Sequence, residues 1–101
     1  MASETLRRDY EDAVRAIRSL VDALRREGWD SEAIARAAHG ERRRLAALFK
    51  ERTPEPMRSV IQAHTLATYG DPLGPTVESL RAKGKTWEEI IASASRPGTP
   101  P

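Results

Sequence analysis

The sequence predicts an all-α fold, a compact bundle of about five helices. Three observations predict it. Apolar residues recur at spacings of three and four, no segment alternates steadily between apolar and polar residues, and Gly or Pro punctuates the periodic runs. At 101 residues the chain is long enough for one modest core. We therefore expect a single helical domain over residues 1–96 and a flexible tail over residues 97–101.

The first helix is predicted over residues 4–27, and Gly28 ends it. Its apolar positions lie three or four residues apart, so they share one face of the helix. These positions are Leu6, Tyr10, Val14, Ile17, Val21 and Leu24.

The second helix is also long, and we expect it to run antiparallel to the first. It begins after Asp30 or Ser31, either of which can accept hydrogen bonds from its first free N–H groups, and it extends to about Arg52. Gly40 is a weak point in its middle. Glu41 lies near the centre of the apolar stripe, so we expect it either to have an arginine partner or to lie where the stripe opens. The inner stripe consists of Ile34, Ala38, Leu45, Leu48 and Phe49.

The third helix is predicted to start at Thr53 and Pro54, as a cap followed by a proline in the first helical position. We expect one of its sides to face the core, with His64 as a half-buried packing residue. That side carries Met57, Val60, Ile61, His64 and Thr68. The alternative is that His64 and His39 form the acid/base pair of a metal-independent ribonuclease.

A connection rich in Gly and Pro follows, from Tyr69 to Thr76. Gly70 and Gly74 permit backbone angles that are closed to other residues, and the two prolines between and after them fix φ. We expect a rigid loop that locks the neighbouring helices together.

Two short helices complete the predicted fold. The fourth starts near Pro75, and Gly84 ends it. Thr86 and Glu89 have the spacing of a capping box, which predicts the start of the fifth helix. In that helix Trp87 is expected to be a hydrophobic anchor and to share one face with Ile90, Ile91 and Ala94.

Composition excludes several classes of site. The chain has no cysteine, so it has no disulfide, no thiolate chemistry and no cysteine zinc site. We expect no metal and no cofactor. No apolar run approaches the roughly 20 residues of a membrane span, and the first residues do not resemble an export signal. We therefore expect a cytoplasmic protein, with delivery by another system left open.

Basic residues are unevenly distributed although the net charge is only +2. Residues 33–58 hold seven basic and three acidic residues. Fourteen of the seventeen basic residues are arginine, which favours bidentate contacts with phosphate or carboxylate groups. A GC-rich genome produces the same bias, so the two explanations stay open.

The second helix places Arg36, His39, Arg43 and Lys50 on one side, as a basic ridge opposite its apolar stripe. A phosphate backbone fits such a ridge, so RNA is the expected partner. Histidine exchanges a proton near neutral pH, and we expect His39, Arg43 and Asp71 to be catalytic in a ribonuclease. The predicted anion-binding residues are Arg36, Arg42, Lys50 and Lys85. The alternative is a solvated face on which long side chains cover alanines.

Several short motifs also resemble a known family. They are Ala38-His39, Arg42-Arg43, Phe49-Lys50, Thr53-Pro54, Tyr69 to Thr76, Gly84-Lys85-Thr86-Trp87, Ile90-Ile91, Ala94 and Arg96-Pro97-Gly98. Over residues 34–98 they resemble a helical module at the C-terminal ends of bacterial polymorphic toxins of the Rhs and contact-dependent type. The resemblance implies a toxin-like effector or effector-associated domain, with RNA or an acidic immunity protein as partner. The family pattern has Arg-Asn where this chain has His64-Thr65, so an activity that depends on that Asn is not implied.

A second resemblance predicts a different function. The spacing of Ile34-Ala35, Ala38, Leu45 and Phe49 is similar to that of a TetR-like helix-turn-helix, whose recognition helix would begin at Arg42, Arg43 and Arg44. A turn would then interrupt the second helix near His39 and Gly40. This alternative is a non-enzymatic domain that binds DNA or docks on another protein.

Overall fold

The chain folds into five helices over residues 2–98, the part that the computed structural model describes. No strand occurs in that range, so the predicted all-α class is confirmed. Of the predicted flexible tail, residues 99–101 lie outside the described residues. The helices are α1 (Ala2–Arg26), α2 (Ser31–Arg52), α3 (Met57–Tyr69), α4 (Val77–Ala82) and α5 (Trp87–Ala94).

The core lies between α1, α2 and α5. The first two helices are antiparallel, as predicted: a short turn at Gly28 joins them at one end, and Asp9 pairs with Arg52 at 3.7 Å at the other. Near that second end the rings of Tyr10 and Phe49 meet edge to face, with centroids 5.4 Å apart. The buried apolar residues are Val14, Ile17, Val21, Leu24, Ile34, Ala35, Ala38, Leu45, Phe49, Val77, Leu80, Ile90, Ile91 and Ala94. Leu48, predicted for the inner stripe, is 44% exposed instead, because it lies at the margin of that stripe.

Side-chain caps set the starts of two helices where they were predicted. The Asp30 carboxylate accepts a hydrogen bond from Ala33 N–H at 2.8 Å at the start of α2. At α5 the Thr86 hydroxyl accepts from Glu89 N–H at 3.1 Å, and the Glu89 carboxylate accepts from Thr86 N–H at 3.0 Å. The capping box at α5 is therefore confirmed.

Thr53 ends α2 and does not start α3. Its hydroxyl donates to the Phe49 carbonyl at 2.8 Å, which satisfies one of the free carbonyls at the end of the helix. The next helix begins only at Met57, after Pro54 and Pro56. The prediction that Thr53 and Pro54 start the third helix is therefore wrong.

α3 adds nothing to the core. The helix is described over its whole length, and none of its side chains is buried. Met57, Val60 and Ile61 are 55%, 60% and 50% exposed, and His64 is exposed as well. The expectation that this side faces the core, with His64 packed inside, is therefore wrong. We call Met57, Val60, Ile61, His64 and Thr68 the α3 stripe.

The least exposed side of α3 is polar. Its partly buried residues are Arg58, Thr65 and Tyr69. With about 3.6 residues per turn, these three share a side of the helix that lies roughly a quarter of a turn from the centre of the α3 stripe. The described chain is accordingly elongated, with extents of 43, 28 and 17 Å.

Two glycines provide a matched test of the backbone. Gly40 lies inside α2 and Gly74 lies in the connection before α4 with φ of +104°, and an added Cβ meets no atom within 4 Å at either position. Gly40→Ala should stabilise the protein by about 0.5–1 kcal/mol, because alanine favours the helix. Gly74→Ala should cost about 1 kcal/mol or more, because alanine disfavours positive φ. Urea unfolding of both variants measures this, and two shifts of the same sign would contradict it.

Candidate functional site

The connection between α3 and α4, residues 70–76, lies on the middle of α2; we call it the Gly/Pro loop. His39 Nε2 is 2.7 Å from the Pro75 carbonyl oxygen. The Arg43 guanidinium donates to the Gly74 carbonyl at 3.0 Å and to both carboxylate oxygens of Asp71, at 3.1 and 3.2 Å. Residues 39 and 43 are four positions apart, so both side chains reach the same segment. The three predicted catalytic residues therefore lie together.

The Asp71 carboxylate is also hydrogen-bonded within the Gly/Pro loop. It accepts a hydrogen bond from Leu73 N–H at 2.8 Å. That bond is the largest cause of a lowered pKa at Asp71, and Arg43 lowers the pKa further, against partial desolvation. A general base works best with a pKa near the working pH, so an ionised Asp71 is a weak proton acceptor at neutral pH.

His39 is closed off from solvent. The residue is 1% exposed, and its Nδ1 has no hydrogen-bond partner among the described residues. Burial lowers the pKa of His39, the hydrogen bond with Pro75 opposes this, and the charges of Arg43 and Arg42 add to the lowering. The lowered pKa favours the neutral imidazole at neutral pH, and the ring holds the backbone of the Gly/Pro loop. The catalytic interpretation of His39, Arg43 and Asp71 stays a prediction, while their contacts give all three a structural role.

Arg42, predicted to bind an anion, binds the carbonyls at the end of α5. It is 6% exposed, and its Nη1 donates to Ser93 O at 2.9 Å, Ala94 O at 3.2 Å and Arg96 O at 3.3 Å. Its Nε donates to the Tyr10 hydroxyl at 3.3 Å. A positive side chain stabilises the negative end of a helix, so Arg42 joins α5 to the α1–α2 pair.

Arg36 is exposed, yet it is also engaged within the chain. It donates to Glu32 at 3.0 Å and to Glu78 at 3.1 Å. Its guanidinium lies 5.3 Å from the centre of the Trp87 ring, and that of Arg81 lies 4.1 Å from the same ring. Trp87 packs against the core from this position, which agrees with its expected role as an anchor.

The remaining predicted anion-binding residues do not complete one site. Lys50 is partly buried, and it lies roughly 21 Å along α2 from Arg36. Lys85 is exposed in the turn between α4 and α5. The predicted basic ridge therefore extends along α2, and its two arginines, Arg36 and Arg43, are held by acceptors of the chain itself. Glu41, for its part, accepts from Arg44, as predicted.

The helix-turn-helix interpretation is wrong for residues 34–49. α2 continues without a break through His39 and Gly40, so these residues do not form two helices separated by a turn. Arg42 and Arg43, expected at the start of a recognition helix, bind α5 and the Gly/Pro loop.

Among the described residues, no group of three or more His, Asp or Glu side chains could hold a metal ion. None of the five helices combines, over its described part, the length and apolar character needed to cross a bilayer. The feature that sequence reasoning missed is the exposure of the α3 stripe. Periodicity identified its residues, but periodicity does not tell which way a helix faces.

Arg42 should contribute more to stability than its neighbour Arg44. Arg42→Leu leaves carbonyls at the end of α5 without their charged donor, and we expect a loss of about 1.5–3 kcal/mol. Arg44 has a side chain that is 63% exposed and pairs within its own helix, so Arg44→Leu should cost less than about 1 kcal/mol. Urea unfolding compares the two. Equal losses would contradict the role given to Arg42.

Comparison of the chain with family models, with curated proteins and with solved structures gives no match. The resemblance to polymorphic-toxin modules stays a prediction that rests on the motifs quoted above.

Proposed function

We propose that this chain is a non-enzymatic protein-interaction domain, which inserts α3 into an apolar groove of a partner protein. The α3 stripe carries the proposal. Its three large apolar side chains are half exposed or more, on a helix that buries no side chain anywhere in its described length. Contiguous apolar surface of this kind is typical of interaction sites.

The spacing within the α3 stripe suits a groove. Met57, Val60, Ile61 and His64 occupy positions i, i+3, i+4 and i+7, which is the pattern of helices that lie in apolar grooves. The helix has no acidic residue, and Arg58 is its one charged residue. A solvent-exposed helix face normally carries charged side chains, so the stripe is better suited to contact with an apolar surface.

The helix is also held in place before it binds. Pro54 and Pro56 precede it, and at its other end the Gly/Pro loop is attached to α2 through Arg43. A helix that is already formed and oriented loses less conformational entropy on binding.

Charge and size argue for a different protein as the partner. α3 itself carries one arginine and no acidic residue, so a groove with acidic groups at its rim is complementary to it. A second copy would bring two helices of the same positive charge together. One face of a helix roughly 20 Å long is also small beside the about 800 Å² per partner of a stable interface, unless a groove encloses it. The acidic immunity-type partner implied by the toxin resemblance fits this description.

Two isoleucines distinguish a side chain packed in the core from one exposed on α3. Ile61 is 50% exposed in α3 and Ile90 is 2% exposed in α5. Ile90→Ala should lower the free energy of unfolding by about 2–5 kcal/mol, because it leaves a cavity. Ile61→Ala should change it by no more than about 0.5 kcal/mol. Urea unfolding of the two variants decides this. A large loss at Ile61 would mean that α3 packs on the core.

The interaction itself can be tested in two steps. A photo-crosslinking residue placed at Ile61 identifies the protein in contact with α3 in extracts of the source cells. That protein is then purified, and its affinity for the full chain is measured by calorimetry. Ile61→Ser should weaken binding by about thirtyfold, as expected for a central apolar contact.

Gln62→Ala is the matched control, since Gln62 lies on the side of α3 opposite the stripe, and it should change the affinity less than about threefold. Binding should also weaken as salt increases, because the rim of the groove is acidic. Three outcomes would contradict the proposal: crosslinking only to a second copy, no crosslink at all, or an affinity for the partner that Ile61→Ser leaves unchanged. RNA cleavage that is lost in His39→Ala would favour the ribonuclease interpretation instead.

A further inference from the structure

His39 has a feature that anchoring alone does not require. The ring is buried at the point where α2 meets the Gly/Pro loop, and Nε2 is bonded to the Pro75 carbonyl. A carbonyl oxygen only accepts hydrogen bonds, so Nε2 carries the proton and Nδ1 presents a lone pair. That Nδ1 has no partner among the described residues. A buried polar atom without a partner is rare enough to need a physical explanation.

We propose that His39 is a proton-sensitive latch, and that its protonation releases the Gly/Pro loop from α2 and with it the fixed direction of α3. The consequence for docking rests on the proposed function. The latch itself is a property of the free chain.

The geometry explains why a proton opens the contact. Protonation adds an N–H at Nδ1, where the closed structure offers no acceptor among the described residues. The charged groups that act on the ring are Arg42 and Arg43 from α2 and Glu78 from α4. The two arginines oppose a positive ring, and Glu78 is already paired with Arg36. The charged ring is therefore better placed in water, and it reaches water when the loop lifts.

The pH range follows from the direction of the shift. Burial lowers the pKa of His39 below its ordinary value of 6.5 in the closed state, while an open, solvated His39 keeps the ordinary value. The open state therefore binds more protons below pH 6.5. The latch should be fully closed above that pH and should weaken as the pH falls below it. Asp71 and Glu78 have lowered pKa values, so they titrate at lower pH.

The distance between α3 and α1 reports the latch directly. The natural chain has no cysteine, so cysteines introduced at Gln62 and Ser19, which are both exposed, accept spin labels selectively. Above pH 6.5 we expect one narrow distance distribution. Below it a second, broader population should grow, by at most about tenfold per pH unit, the limit for a single proton.

Two substitutions identify the group responsible. His39→Gln keeps an N–H donor for the Pro75 carbonyl but cannot be protonated, so its distances should stay narrow at every pH. His64→Gln, on the exposed α3 stripe, removes the other histidine and should behave as the natural chain does. The same response to pH in His39→Gln, or its loss in His64→Gln, would overturn the proposal.

A second pair of spin labels distinguishes the opening of the latch from global unfolding. Ser19 and Ala92 lie on α1 and α5, which pack on each other and on α2, so their distance should stay constant while the distance to Gln62 changes. Broadening of both distances together would mean global unfolding and would overturn the proposal, as would a natural chain that shows no response to pH. Ile61→Ser should keep the latch and lose docking, so the two proposals fail independently.

Discussion

The attachment of the Gly/Pro loop to α2 is the constraint on which the arrangement of this chain depends. Two residues of α2 share it: Arg43 donates to the carboxylate of Asp71 and the carbonyl of Gly74, and His39 holds the carbonyl of Pro75. The loop connects α3 to α4, so the same contact positions a helix outside the core and a helix that closes it. Because α2 is continuous, it carries the anchor on one side and core residues such as Leu45 on another.

The arginines show why composition is a poor guide to a binding site in this chain. A guanidinium binds a carbonyl or a carboxylate of its own chain through the same geometry with which it binds phosphate. Arg42 binds a carbonyl at the end of α5. Arg36 binds two carboxylates and lies over a tryptophan ring. Sequence reasoning placed these residues on one helix correctly. It could not tell which distant acceptors would reach them: Ser93 lies 51 positions from Arg42, Glu78 lies 42 from Arg36, and only Glu32 is within one turn of Arg36.

Much of the fold followed from local chemistry, and what did not follow was the orientation of elements in space. The capping box of Thr86 and Glu89 was predictable, because both partners lie within one turn. Thr53 was ambiguous for the same local reason, since a hydroxyl can serve the end of one helix or the start of the next. The direction of the α3 stripe was not predictable, because periodicity identifies the side of the helix on which Ile61 lies but not whether that side packs on the core or faces solvent. The grouping of His39, Arg43 and Asp71 was predicted, whereas the burial of His39 was not.

A double-mutant cycle on Arg43 and Asp71 measures the central constraint most directly. The two side chains are 24% and 27% exposed, so solvent screens the pair only in part. Unfolding free energies of Arg43→Leu, Asp71→Asn and the double variant should give a coupling of about 1 kcal/mol. The α3–α1 distance should lose its narrow distribution in each single variant. A coupling below about 0.3 kcal/mol with an unchanged distance would contradict the claim that this contact holds the loop and sets the direction of α3.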